Sequence, residues 1–355
     1  MNPKIEYLYY DLEEDPVTRS RYMSFLREYY GDAAPSRLQR ALWYRETGAY
    51  RLLLGIKDGQ LVGQTSAYRV SVVISGALRY IWWSVDSFVL ESQRGQGFGK
   101  GLQKRLHEDL ENFSSVSYSR PNGIIKRKCG AGELARVPFV YLPVDSFASL
   151  VLRIFLHRKF HKEIRVPSLF KNKYYHVNKL FDFSRKRYMA REIDLKDSLD
   201  TLVPLISESL KRYDFYVVRD KEYMKWKYLE NPTIGRFHTL GFYPADSDRM
   251  AGCLIFSEPF EKQVFSVSAT VSVVLDCFVF AEPKITKKRM VLEAMDFLRK
   301  RNRKIDGMLY IGETAYFPTL RYPYRGRSFL STISAGDIRN PYLRYSDQDM
   351  EQVGI

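Results

Sequence analysis

A shift of 183 residues lays one half of the sequence on the other, and this self-similarity restricts the possible folds more than any other feature of the chain. With no gap, Tyr10-Asp11-Leu12 falls on Ile193-Asp194-Leu195 and Trp43 falls on Trp226. Each half opens with an apolar strand-like run, Ile5 to Tyr10 and Tyr188 to Ile193. A helical stretch follows in each, Val17 to Tyr30 and Leu199 to Lys211, the second with Leu202, Leu205, Ile206 and Leu210 on one face. Next come the tryptophan segments, LWYRETG and KWKYLENP, and then strands. With seven more residues in the second half, Val85-Asp86-Ser87-Phe88-Val89 falls on Leu275-Asp276-Cys277-Phe278-Val279. Three matches in one order predict a tandem duplication. The expected division is a first domain over 1–148, a connector over 149–186 and a second domain over 187–355.

A length of 355 residues suits two domains, and each would bury enough apolar surface to fold without disulfides or metals. The three cysteines, Cys129, Cys253 and Cys277, are widely spaced with no CxxC pair, which points to a reducing compartment and away from a zinc site. The opening MNPKIEYLYYDLEED does not read as a signal peptide, and no apolar run has the length of a membrane span. The expectation is a cytoplasmic chain.

The net charge of +15 is concentrated. Between Arg153 and Arg191 there are twelve Lys or Arg against Glu163 and Asp182 alone, a local excess of +10. Such a field attracts an acidic carrier protein, a polyanion or an anionic lipid surface. A solvated connector that only keeps the chain soluble reads equally well.

The chemistry is densest after Trp82 to Val89, an aromatic and β-branched run that predicts a buried strand. It leads through Leu90 and Glu91 into Arg94-Gly95-Gln96-Gly97-Phe98-Gly99-Lys100-Gly101, after which Leu102, Leu106 and Leu110 mark a helix face. Strand, glycine-rich turn and helix together offer an anion site, because glycines let the backbone approach closely and the helix N-terminus carries partial positive charge. Glycines at every second position match neither the dinucleotide fingerprint nor a Walker A loop.

Arg94 to Gly99 instead resembles the Q/R-x-x-G-x-G/A loop of the GNAT superfamily of N-acetyltransferases, and SVDSFVLES resembles that family's fourth strand. Trp226-Lys227-Tyr228 and Asn231-Pro232 are similar to bacterial members with two such domains. The resemblance implies an α/β fold of two tandem GNAT-like domains, each a mixed, mostly antiparallel sheet flanked by helices. It implies acetyl-CoA or another acyl-CoA as co-substrate, with the pyrophosphate on the backbone of Gly95, Gln96, Gly97, Phe98, Gly99 and Lys100 beside Arg94. The strand edge Phe88, Val89 and Leu90 would pair with the pantetheine arm, and an N–H near Val89 would polarise the thioester. Arg120-Pro121-Asn122 after Val116-Ser117-Tyr118 resembles the end of the fifth strand, with Asn122 reaching the cofactor from it. Gly130 resembles the glycine that closes the next helix.

Two departures follow. Where many members have a tyrosine that protonates the leaving thiolate, this chain has Lys126, so Tyr118, Tyr141 or water is left for that role. Where the second half should repeat the phosphate loop it has Glu282-Pro283-Lys284-Ile285-Thr286-Lys287, without glycine, so that copy is expected to be inactive and to support or wall the acceptor site.

Direct attack by an amine calls for a base. Asp86 lies on the cofactor strand, yet it recurs as Asp276 in the copy without the loop, which also suits a structural carboxylate. Glu91 is a second candidate, and His107 reads as a third or as a surface histidine. Cys129 among basic residues is either a thiol of lowered pKa or a plain helix-end cysteine. Trp43, Tyr44, Trp82 and Trp83 would line an acceptor pocket or, more simply, the core. No metal-ligand spacing and no covalent-catalysis motif is present. The leading expectation is an acyl-CoA-dependent N-acyltransferase acting on a small-molecule or sugar amine. The alternatives are a transferase using a carrier protein or tRNA as donor, and a non-enzymatic protein that binds a polyanion or a membrane surface.

Overall fold

In the computed structural model the described residues are 5–12, 16–116, 120–144, 188–264, 267–280, 285–301, 304–312, 322–323, 327–332, 338, 340–344 and 347. The connector 149–186, Tyr118 and the stretch Glu282 to Lys284 lie outside them.

The first half runs β1 (Ile5–Tyr10), α1 (Pro16–Tyr30), α2 (Ala34–Arg45), β2 (Tyr50–Lys57), β3 (Gln60–Ile74), β4 (Ala77–Val89), α3 (Phe98–Asp109), β5 (Phe113–Ser115), α4 (Arg120–Lys128), β6 (Gly132–Val137) and β7 (Phe139–Pro143). The second runs β8 (Tyr188–Glu192), α5 (Leu195–Leu210), β9 (Phe215–Val217), α6 (Lys221–Met224), a π-helical turn (Lys225–Leu229), β10 (Phe237–Pro244), β11 (Gly252–Ser257), β12 (Phe260–Val264), β13 (Val267–Val279), α7 (Lys287–Lys300) and β14 (Gly307–Ile311). It closes with β15 (Tyr322–Pro323), β16 (Arg327–Ser331) and β17 (Pro341–Tyr342).

Local chemistry explains many of the boundaries. Asp58-Gly59 and Ser75-Gly76 have positive φ at both residues, the backbone of the two-residue turns that join twisted hairpin strands, and they link β2 to β3 and β3 to β4. Asp194 caps α5 by accepting from the Lys196 amide at 2.8 Å, and Thr286 caps α7 by accepting from the Arg289 amide at 3.2 Å. Gly130, with φ 93°, ends α4 as its amide reaches the Arg127 carbonyl and the Ala131 amide reaches that of Lys126.

Two mixed sheets flanked by helices result. The first has the order β1-β2-β3-β4-β5-β16-β6, with β9 against β3 and β17 against β9. The second has the order β15-β7-β14-β13-β11-β10-β8, with β12 against β13. The exchange is reciprocal. Strand β7 of the first half pairs with β14 and β15 of the second, while β16 of the second half pairs with β5 and β6 of the first. Each strand brings apolar side chains with it, Val140, Tyr141 and Leu142 on β7 and Phe329 and Leu330 on β16, all buried. Neither sheet is built from one half of the chain.

One sequence expectation changes here, and two alternatives that the sequence left open are decided. The fifth strand is Phe113–Ser115, and Arg120-Pro121-Asn122 opens helix α4 instead of closing a strand. Proline is well suited to a first helical turn, where its missing N–H has no intrahelical partner to lose. Trp43, Tyr44 and Trp83 belong to the core, the simpler of their two readings: all three are buried, and Trp83 stacks on Phe329 at 5.7 Å. Cys129 has its thiol pushed up by burial, with Glu108 adding to this and Lys100 and Lys104 opposing, so its basic neighbours do not activate it.

Candidate active site

Helix α3 begins without a side-chain cap. Its N-cap is Gly97, at φ 89° and ψ −5°, and the glycine before the preceding residue, Gly95, has φ 80°. In this left-handed region a side chain is strained, although a Cβ at either glycine would meet nothing within 4 Å. The glycines are therefore required by backbone shape and leave open space above them. The first amides of a helix lack intrahelical acceptors, and here no cap serves them, so they are available to an anion. Gly101 has a different cause: a Cβ there would lie 1.9 Å from the Tyr7 hydroxyl of β1. It makes room for the strand and is no part of the anion cradle.

The loop is braced from β2, where Lys57 Nζ donates to Gln93 Oε1 at 3.1 Å and to Gln96 Oε1 at 2.9 Å. Arg94 is half-exposed; its Nε donates to the Val89 carbonyl at 3.4 Å and its head lies 3.5 Å from Glu91.

Below the loop the sheet opens. Strands β4 and β5 are parallel and pair only at Trp82 with Phe113 and Trp83 with Ser114. At the next position the two strands are bridged by a side chain. Lys126 of α4, 2% exposed, donates to Ser84 Oγ at 3.0 Å and to Ser115 Oγ at 2.6 Å. Strand β4 also bulges. Gln64 faces Phe88 and Ser66 faces Val85, so Asp86 and Ser87 together oppose Thr65, and Asp86 has φ 45°. Bulge and divergence leave a cleft of about 630 Å³, within the usual size of a small-molecule site.

The cleft is walled by Phe88, Val89, Arg94, Gly95, Gly97, Phe98, Gly99 and Lys100, with Pro121, Asn122 and Ile125 of α4 opposite. The cofactor residues expected from sequence are thus largely brought together, and Asn122 joins them from the first turn of a helix. Leu90 and Gln96 do not line it. Leu90 is buried with its amide on the Val62 carbonyl at 2.9 Å, and the Gln96 side chain is held by Lys57.

The acid–base candidates scatter. Asp86, partly buried, forms an ion pair with the buried Arg40 of α2, while its carbonyl accepts from Gln64 Nε2 at 3.0 Å. Its counterpart Asp276 is buried against Arg219 at 3.3 Å and accepts from the Tyr228 and Tyr342 hydroxyls. Glu91 sits at the rim with 90% of its side chain exposed. His107 is packed on Phe113 at 3.9 Å, and burial, reinforced by Lys126, lowers its pKa to about 4.

Sequence reasoning missed Gln103, Ser87, Thr65 and Tyr29. Gln103, Ser87 and Tyr29 border the cleft. Gln103 Nε2 donates to Thr65 Oγ1 at 2.8 Å and to Ser87 Oγ at 3.1 Å. Helix spacing alone could have found Gln103, since it lies beside Leu102 on the buried face of α3. Among the described residues no cluster of three or more His, Cys, Asp or Glu could hold a metal ion, and no helix is long and apolar enough to cross a membrane.

No family profile and no curated protein sequence matches the chain. Solved structures do. A GCN5-related N-acetyltransferase from Anabaena variabilis shares 13% identity, with a TM-score of 0.55 over 92% of this chain and 72% of that one. N-myristoyltransferase from Saccharomyces cerevisiae, solved with bound myristoyl-CoA, shares 12% identity, with a TM-score of 0.54 over 92% and 82%. A tandem GNAT protein from the clavulanic acid biosynthesis pathway shares 10% identity, with a TM-score of 0.54 over 94% and 99%. This chain has the tandem GNAT fold.

Proposed function

We propose that the chain is an acyl-CoA-dependent N-acyltransferase, with acetyl-CoA or another acyl-CoA as donor and an amine as acceptor. The observation that carries this reading is the uncapped start of α3 at Gly97, opening onto a cleft between two parallel strands that part after two residue pairs. The helix start and Arg94 take the pyrophosphate. The pantetheine arm lies along β4 at Phe88 and Val89, and a backbone N–H near Val89 holds the carbonyl oxygen as the tetrahedral adduct forms. The amine nitrogen attacks the thioester carbon directly, the C–S bond breaks, and the electron pair leaves on sulfur as a thiolate that takes a proton.

Asp86, one residue from Ser87 of the cleft wall, is assigned to hold or deprotonate the amine, with Arg40 fixing its carboxylate. Tyr118, which precedes α4 in the sequence, is assigned to protonate the thiolate. Glu91 at the rim tunes the field at Arg94. Calorimetric titration with coenzyme A and acetyl-CoA tests the reading. Binding lost in Gly97→Glu and weakened in Arg94→Ala supports it; no binding by the wild type, or undiminished binding by both variants, overturns it.

A further inference from the structure

Lys57 is the last residue of β2, and the chemistry proposed above leaves it unused. Side chains alternate along a strand, so Lys57 points to the same side as Gly55, where a Cβ would meet Leu102 of α3 at 3.6 Å. The ammonium lies beside the start of α3. It donates to Gln93 Oε1 at 3.1 Å, just ahead of Arg94, and to Gln96 Oε1 at 2.9 Å, between Gly95 and Gly97. Gln96 in turn donates back across the loop to the Ser92 carbonyl at 3.4 Å. Gly95 and Gly97 both lie at positive φ, and glycine has the most backbone freedom to lose when a ligand orders a loop. Gln96 carries the one side chain between them, and Lys57 holds it.

These partners fix the ammonium without cancelling its charge, because both are neutral carboxamide oxygens. Arg94 differs, since its head lies 3.5 Å from the Glu91 carboxylate. Gln93 lines the cleft together with Gly97, so the Lys57 charge stands one side chain away from an anion at the helix start. Attraction between opposite charges extends past hydrogen-bond range and is weakened by salt. A loop already held in shape also loses less freedom on binding, which raises affinity without a new contact.

We infer that Lys57 is a positioning residue of the phosphate loop: it locks Gln93 and Gln96 so that the first amides of α3 are set for a phosphate-bearing donor, and it adds an uncancelled positive charge there. This rests on the acyl-CoA reading above. Calorimetry with coenzyme A and ligand-observed NMR titration with acetyl-pantetheine, which has no phosphate, test it. Lys57→Met should weaken coenzyme A binding about tenfold, and less at high salt, while acetyl-pantetheine binds as before. Lys57→Arg, which keeps the charge and the donors, should recover most of the loss. Adding Gln96→Ala to Lys57→Met should cost less than the two single losses combined, because one residue acts through the other. Unchanged coenzyme A affinity in Lys57→Met overturns the inference. An equal loss for acetyl-pantetheine overturns it as well, since a general disturbance of the cleft weakens both ligands. Failure of the wild type to bind coenzyme A removes the underlying reading, and the inference with it. If Lys57→Met does not fold, Gln96→Ala decides alone: weaker coenzyme A with unchanged acetyl-pantetheine supports the brace, and unchanged coenzyme A overturns it.

Discussion

Trp43 and Trp226 stack with ring centroids 4.2 Å apart and planes 9° from parallel, and each indole N–H donates to the other residue's carbonyl, at 3.0 and 3.2 Å. They are separated by 183 residues, the shift that superposes the two halves of the sequence. Equivalent residues that make the same contact to each other in both directions mark a local two-fold axis, the geometry of an isologous dimer interface drawn into one chain. Strands β7 and β16 obey the same relation, each crossing into the other sheet.

Trp43→Ala should therefore destabilise the whole chain by about 3–5 kcal/mol, through the cavity it leaves at the axis. Trp226→Phe keeps a ring but removes one of the two donors to the Trp43 carbonyl, leaving it the Glu46 amide at 3.2 Å, for about 1 kcal/mol. Chemical denaturation of the two single variants and the double variant should show strong coupling between the sites; additive losses would contradict the mutual contact.

The exchanged strands predict one unfolding transition. Each sheet loses an internal strand if the halves separate, so denaturation followed by tryptophan fluorescence and by far-ultraviolet circular dichroism should give coincident curves. A fragment of residues 1–148 should not fold alone, since it lacks β16 between β5 and β6. A well-dispersed amide spectrum from that fragment would count against this.

The glycines of the loop should separate by cause. Gly97→Ala meets no atom and should cost about 1–2 kcal/mol through its left-handed backbone. Gly101→Ala should cost a similar amount by driving into the Tyr7 hydroxyl, and Tyr7→Val should rescue it. The same Tyr7→Val change should leave Gly97→Ala as unstable as before.

His107 gives the chain an acid-sensitive element. Its folded pKa of about 4 lies below the roughly 6.5 of an unfolded histidine, because burial disfavours the charged ring. Between these values the unfolded chain binds a proton that the folded chain refuses. The stabilising contribution is therefore complete above pH ~6.5 and is lost as pH falls through about 4. Comparing midpoints at neutral and acid pH for the wild type and His107→Leu should show a smaller acid loss in the variant. Lys126→Met removes a neighbouring positive charge, so the His107 ring should titrate at higher pH by NMR.

Much of the first half's order was legible because its signals are local. Gly95 and Gly97 serve a backbone conformation that side chains resist, and the run from Trp82 through the loop to Leu110 carries strand and helix periodicities that need no distant partner. The 183-residue repeat likewise required only like residues at like spacing. Asn122 was misplaced because a short strand of three residues leaves little pattern, and Arg120-Pro121 reads equally as a strand end or a helix start.

What the sequence determined by itself was a duplicated α/β plan and one glycine-shaped helix start, both written in neighbouring residues. The tertiary structure alone decided the rest, because it depends on which distant groups share a dry space. Only there does β16 enter the first sheet, does Lys126 become the bridge between Ser84 and Ser115, and does Asp86 meet Arg40. Only burial of the Gln103 carboxamide against Thr65 and Ser87 turns an unremarked glutamine into a hydrogen-bonding group short of one partner.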